Sequence, residues 1–407
     1  MMKPFSIALV AAFWVVPAVQ GQGLMDIGSK FDDGVRLPFA FSVSSTLGWD
    51  SKPGAGSLSG GGTRLPSDSE GSGYWRNGFS LNYPLGRVNN RFNLDANYSN
   101  TWYFKASPGT EGLHHAGGVN LVFQRQVSER LSFGDSLHLA YQTQPDFQVG
   151  ASINRPTGGY FSGSNELWLD YKWSTRFSTI SSYTVTNIDY DEEPVSTESN
   201  TRHELSEMIR YALTQRTAAT LEYRYSFSEF PDNPNAESKS HYLLLGMERP
   251  LGRFLSMNLS AGMEWRAYDG PLGSRTSPHV EGAIDYRARE NTTFRLYYRS
   301  GLEDTGSAGV QSNSSMRAGL SMTHKFGGGL SATLGVNSVN SDYTRGAPGV
   351  NNRKEDTLET SLGLNYYHHL WRRFGLNAGY TFSMVNSDDK FSEYKRHNLS
   401  LGVSAQF

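Results

Sequence analysis

The side chains able to do chemistry in this 407-residue chain are concentrated between Arg210 and Arg317, and they alternate with apolar ones. Arg210, Glu222, Arg224, Glu264, Arg266, Glu281, Asp285, Arg287, Arg289, Arg295, Arg299 and Arg317 share one phase of a two-residue repeat. That period belongs to an extended chain, whose side chains point alternately to opposite faces. Charge at this density is tolerated only where it meets water or an opposite charge. Two readings stand. The arginines and carboxylates pair across neighbouring strands and stiffen a wall, or they line an aqueous constriction whose transverse field selects small polar or anionic solutes. Arginine outnumbers acid in this group, eight to four. The second reading therefore leans towards anions, because the guanidinium fork matches phosphate and carboxylate.

Other chemistry is poorly provided for. With no cysteine, thiolate catalysis, disulfides and Cys-based metal sites are excluded. His114-His115 is expected in a loop and His368-His369 at a strand end, and neither has helical metal-ligand spacing. The acidic clusters Asp189–Glu193 and Asp388-Asp389 read as solvated loops. There is no G-x-S-x-G elbow and no phosphate-binding G-x-x-x-x-G-K-[ST] loop. Ser136 with His138, or His397 with Asp389, are the nearest approach to a hydrolytic pair, and ten histidines make such coincidences ordinary. No enzyme, catalytic residue, metal or cofactor is expected. A formal net charge of -2 gives no footprint for nucleic acid.

The elements that must hold these residues are strands. Lys3, the apolar run Phe5–Val19 and the small residues near Gly21 read as a cleaved export signal over residues 1–21, with Gln22 first in the mature chain. Residues 22–37 read as a periplasmic lead-in or small plug, and 38–407 as one barrel. After the signal no apolar run reaches the ~18 residues of a spanning helix. Mean hydropathy is -0.50 and 37% of residues are hydrophobic. A barrel accounts for both figures, since only alternate residues of its strands meet lipid.

Short turns are expected near Arg87, Ser128, Ser174, Gln215, Gly252, Asn291, Gly327 and Arg372. Longer polar connections lie over Ser51–Ser72, Ser107–Gly117, Pro145–Ser162, Asp191–Thr201, Pro231–Ser238, Asp269–Ser277, Asp304–Ser314, Thr344–Asp356 and Asn386–Glu393. Nine long connections alternating with eight short ones give an antiparallel barrel of about 18 strands, or 16 if one hairpin is misread. The short turns are then periplasmic and the long loops extracellular. A soluble β-sandwich array or a propeller is the competing architecture. The loop Pro145–Ser162 carries Phe147, Ile153, Arg155, Tyr160 and Phe161; it either folds inward to narrow a pore or caps the surface. The strand Phe177–Asn187 is the least clean, with Thr179 and Ser181 in phase with Tyr183 and Val185.

The final stretch, Arg396–Phe407, alternates without a break, with Leu399, Leu401, Val403 and Phe407 on one face. It resembles the closing strand of a bacterial outer-membrane β-barrel. That likeness implies that these four residues form the signal read by the barrel-assembly machinery. Arg202–Phe230 (RHELSEMIRYALTQRTAATLEYRYSFSEF) and Arg289–Ser300 (RENTTFRLYYRS) resemble the putative β-barrel porin family. The resemblance implies an outer-membrane channel in contact with lipid and lipopolysaccharide. Some members of that family look like exit barrels for secreted polysaccharide that work with a periplasmic export protein. This alternative predicts aromatic rings turned inward, and Tyr297 and Tyr367 are in the inward phase. A third class, a structural or adhesive barrel, predicts a blocked lumen and functional outer loops.

Overall fold

The computed structural model describes residues 39–53, 70–87, 89–105, 112–142, 159–191, 199–250, 254–269, 273–303, 310–345, 352–367, 373–388 and 393–407. Alternation of apolar and polar residues makes nearly all of these strand. The first half of the chain supplies β1 (Ala40–Asp50), β2 (Ser72–Arg87), β3 (Asn90–Tyr103), β4 (Leu113–Gln126), β5 (Leu131–Gln142) and β6 (Tyr160–Lys172). Then come β7 (Phe177–Tyr190), β8 (Asn200–Thr214), β9 (Thr217–Glu229), β10 (Ser238–Pro250), β11 (Leu255–Tyr268) and β12 (Ser274–Arg289). The last third is β13 (Thr292–Glu303), β14 (Val310–Gly327), β15 (Leu330–Arg345), β16 (Arg353–Tyr367), β17 (Phe374–Ser387) and β18 (Tyr394–Gln406). Each strand pairs antiparallel with its sequence neighbours, and β18 pairs with β1, so the 18-stranded sheet closes on itself. Closure removes the unpaired edges that an open sheet would present to lipid.

The usual distribution of residues is inverted. On the outer face large apolar side chains are exposed, with Leu401 at 69% and Leu245 at 67%. The fully buried side chains include Arg266, Glu264, His279 and Glu355. An apolar exterior around a polar interior is the arrangement of a protein whose outer solvent is hydrocarbon. Strand lengths of 11 to 18 residues meet or exceed the ~9–11 needed to cross a bilayer core at a tilt. No helix among the described residues is long and apolar enough to cross a membrane; a single 3₁₀ turn, Pro234–Ala236, sits between β9 and β10.

Six of the eight expected short turns fall where the sequence placed them; those near Gly252 and Arg372 lie outside the described residues. Two use one device: Ser128 Oγ accepts from the N–H groups of Arg130 and Leu131, and Ser174 Oγ from those of Arg176 and Phe177. A side-chain oxygen thereby satisfies donors that the ladder has released. The β14–β15 turn needs positive φ at Gly328 and Gly329, and a Cβ at Gly329 would strike the Tyr367 carbonyl oxygen. At the seam Phe407 stacks on Phe41 at 4.9 Å, and the two residues exchange backbone hydrogen bonds of 2.9 and 3.1 Å. Leu399, Leu401 and Val403 lie exposed on the outer face of β18.

Several expectations are corrected. His114 and His115 are not in a loop but in β4, because the strand begins at Leu113. Tyr160 and Phe161 begin β6 instead of closing a loop, and Tyr160 is buried against Tyr190. β14 and β15 likewise run further outward than their sequence suggested, to Val310 and Arg345. The export signal, residues 22–37, Phe147, Ile153, Arg155, His368, His369 and Asp389 lie outside the described residues.

Candidate functional site: a charge network on the lumen wall

Inward positions are those out of phase with the exposed Leu, Tyr and Trp of each strand. On β9 these are Glu222 and Arg224, on β11 Glu264 and Arg266, on β12 His279, Glu281, Asp285 and Arg287, and on β13 Arg295, Arg299 and Glu303. Arg210 and Arg317 occupy the same phase of β8 and β14.

Arg224 is the centre of one group. Its guanidinium donates to Glu222 Oε1 and to Glu281 Oε1, both at 2.9 Å, and lies 3.5 Å from Glu204 Oε1. Glu281 belongs to β12, so this contact spans β10 and β11. One cation thus holds carboxylates from three strands, β8, β9 and β12.

A second group forms around Glu264 and Arg266, which are 0% and 1% exposed. Glu264 accepts from Arg266 Nε at 3.0 Å, from Tyr242 Oη at 3.0 Å and from the Leu302 backbone N–H at 3.2 Å. Arg266 Nη2 also donates to the Leu302 carbonyl at 3.2 Å. The pair therefore clamps β13 across β12. Its charges are desolvated but compensated by hydrogen bonds, the condition under which buried ions are tolerated. His279 joins the two groups, with Nε2 3.2 Å from Glu281 Oε2 and Nδ1 3.7 Å from Glu264 Oε2.

The rest of the predicted set is less uniform. Arg317 makes a two-pronged contact with Glu303, both at 2.6 Å, the strongest ion-pair geometry. Arg210 pairs with Glu248 of β10 at 2.6 Å, while Arg295 stands 3.7 Å from Asp285, directly opposite it in register. Arg299 lies in register between Glu281 and Arg317, and no ion pair joins it to a described residue. Arg287 and Arg289 are exposed near the periplasmic end of β12.

Sequence reasoning missed Arg202, Glu204, Tyr242, Glu248, His279 and Glu303. Tyr242 is the most consequential: it donates to Glu264, lies 3.3 Å from both Arg202 Nη2 and Arg266 Nη2, and has the Arg224 guanidinium over its ring at 5.6 Å. The signal was available. In β10 Leu243 and Leu245 face outward, which puts Ser240, Tyr242 and Glu248 inward. Glu303 is the last residue of β13, at the rim where the alternation stops. Adding Glu204, Glu248 and Glu303 to the acids and only Arg202 to the bases reduces the arginine excess read from sequence.

Four inward aromatic rings share one arrangement. Tyr74, Trp168, Tyr297 and Tyr367 each stand in register with a glycine: Gly48, Gly134, Gly319 and Gly375. At each glycine a Cβ would lie under 3 Å from the ring, so the ring occupies the space over it, held against the wall.

Elsewhere, His138 Nδ1 is hydrogen-bonded to Asn120 Oδ1 at 2.5 Å, and His397 faces outward with Nδ1 on Tyr380 Oη at 2.9 Å. Among the described residues no group of three or more His, Asp or Glu could hold a metal ion.

No curated protein matches this sequence. Among solved structures it is similar to OccAB3 of Acinetobacter baumannii, at 12% identity, over 91% of this chain and 99% of that one, with a TM-score of 0.45. The outer membrane protein opdK of Pseudomonas aeruginosa gives 11%, 91%, 99% and 0.45. A BenF-like porin from Pseudomonas fluorescens gives 12%, 91%, 98% and 0.45. Residues 229–407, the end of β9 through β18, are matched by the model of the family described as "Putative beta-barrel porin 2". The chain is a closed 18-stranded antiparallel β-barrel, and its residues 229–407 are similar to that family's sequences.

Proposed function

We propose that this barrel is a channel through which small polar solutes cross the outer membrane, with a preference for anions set on the β12–β14 wall. The observation that carries the reading is Arg299. It lies on the polar inner face of a closed wall, in register with Glu281 on one side and Arg317 on the other, and no carboxylate among the described residues forms an ion pair with it. Arg224, Arg266 and Arg317 are neutralised by the acids that hold them, so they shape the wall without giving it a net sign. Arg299, with the loosely paired Arg295 and the exposed Arg287, leaves positive potential where a solute passes.

Planar-bilayer recording on the refolded mature protein tests this, after heat-modifiable gel migration has shown a folded barrel. A steady conductance with anion preference is expected, and Arg295→Ser with Arg299→Ser should move the reversal potential towards cations. An unchanged reversal potential ends the anion reading. A folded but silent barrel ends the diffusion-channel reading.

The polysaccharide-exit alternative draws on a different observation, the rings of Trp168, Tyr297 and Tyr367 held against the wall over glycine. Such rings offer flat faces to a pyranose. This reading expects oligosaccharides to block the current in a saturable way, with Tyr297→Ala relieving the block; currents indifferent to sugars remove it.

A further inference from the structure

The outer face carries a repeated module that the channel reading does not use. Glu237-Ser-Lys239-Ser-His241 and Glu393-Tyr-Lys395-Arg-His397 have the same E-x-K-x-H pattern. In β10 and β18 alike, the lysine is the second residue of the strand and the histidine the fourth. Both are descending strands just below an extracellular loop, and all four side chains are exposed in the outward phase.

The preceding strand completes the module in the same way both times. Tyr223 Oη is 2.8 Å from His241 Nδ1, and Tyr380 Oη is 2.9 Å from His397 Nδ1. Each tyrosine lies diagonally across the ladder, opposite Leu243 or Leu399, two residues below its histidine. A second aromatic ring backs each imidazole, Tyr225 at 5.1 Å and Phe382 at 4.9 Å. The Tyr183–His203 pair of β7 and β8 repeats the diagonal contact at 2.9 Å without the lysine.

The tyrosine contact engages Nδ1 and so leaves Nε2 as the ring atom that meets a ligand. When the phenol donates to Nδ1, the neutral ring carries its proton on Nε2; when the ring is protonated, Nε2 again carries one. In either state Nε2 is a donor, one step below an ammonium group on the same face. Among the described residues Lys395 makes no salt bridge, whereas Lys239 lies 3.1 Å from Asp269 and over the Phe227 ring. Glu237 and Glu393 stand one step further out, towards the loops. We propose that the Lys-x-His pairs at Lys239/His241 and Lys395/His397 bind the phosphate groups of phosphorylated lipid in the outer leaflet, the β17–β18 site more tightly. Complementarity of charge at this depth selects the ligand: Lys and an N–H donor at the level of the headgroups, with apolar Leu243 or Leu399 below them against the acyl chains.

The test uses the refolded barrel in detergent and native mass spectrometry with diphosphoryl lipid A, compared with the same lipid stripped of its phosphates. Wild type should retain the diphosphoryl form preferentially. Replacing His397→Phe, which keeps an aromatic ring on the Phe382 face, should weaken retention ~10-fold, the worth of one hydrogen bond to a charged group. Lys395→Gln should do the same without touching the ring contacts, and so guards against a packing artefact. Equal retention of both lipids, or both variants behaving as wild type, overturns the proposal. So does competition by inorganic phosphate alone at concentrations equal to the lipid, which would make the site one for free phosphate.

Discussion

The lumen wall has two unlike halves. From β8 to β14 the inward side chains form a cross-linked web of arginine and carboxylate, fully buried at Glu264 and Arg266. From β2 to β7 the same phase carries chiefly hydroxyls and amides, such as Ser80, Asn97, Asn120, Ser136, Ser178 and Ser182. Hydrogen bonds there are mostly local, between neighbouring strands: Asn82 to Asn93 at 3.3 Å, Arg76 to Thr101 at 2.9 Å. Contacts in the charged half skip strands, as Arg224 does from β9 to β12. An ion pair that bridges non-adjacent strands resists bending of the sheet between them, whereas a ladder of amides follows whatever the backbone does. The comparison suggests that the charged half fixes the shape and the sign of the pathway, and that the neutral half contributes mainly wetness.

That difference can be broken most severely at its most buried point. Glu264→Gln or Arg266→Met alone should cost about 3–5 kcal/mol of unfolding free energy, because each leaves a desolvated charge without its partner. The double replacement should recover much of this, since both charges then leave together. Denaturant titration followed by heat-modifiable migration reads the effect. A double variant as damaged as the singles would show that the cost is steric, not electrostatic. The closing seam holds a smaller version of the same device. Arg396 of β18 grips Asp50 of β1, with Nε 3.0 Å from each carboxylate oxygen, and Tyr103 donates to Asp50 at 3.2 Å. Asp50→Asn keeps an acceptor for both donors and should cost about 2 kcal/mol; a loss as large as at Glu264 would mean that the seam, not the web, limits stability.

Much of this was legible from sequence, and the reason is the period. Alternation gives strand and face together, so the strand number, six of the eight short turns and the inward phase of Glu222, Arg224, Glu264 and Arg266 followed from spacing alone. What alternation cannot give is reach. Whether Arg224 meets Glu281, 57 residues on, depends on the stagger of four strands. Strand ends were the other weakness. Charged and polar residues at the rim look like loop, which is why His114 and Tyr160 sit in strands where the sequence reads as loop. The outer Tyr–His pairs escaped notice for a related reason: each is a diagonal contact, visible only once the register is known.

Selectivity should separate the halves more finely than stability does. Arg224→Gln leaves Glu204, Glu222 and Glu281 converging without their shared cation, and permeability should shift towards cations by about twofold, through the altered field at the wall. Reversal potentials in a salt gradient measure it, and a shift towards anions would contradict the geometry. The matching change in the neutral half is Asn120→Ser, which removes the amide bonded to His138. It should cost no more than about 0.5 kcal/mol and leave the reversal potential where it was. The second variant gives the comparison its force. If both variants shift selectivity alike, the field is set by the whole circumference and the two halves differ only in stiffness. If Arg224→Gln alone does so, the charged half is where a passing solute is read.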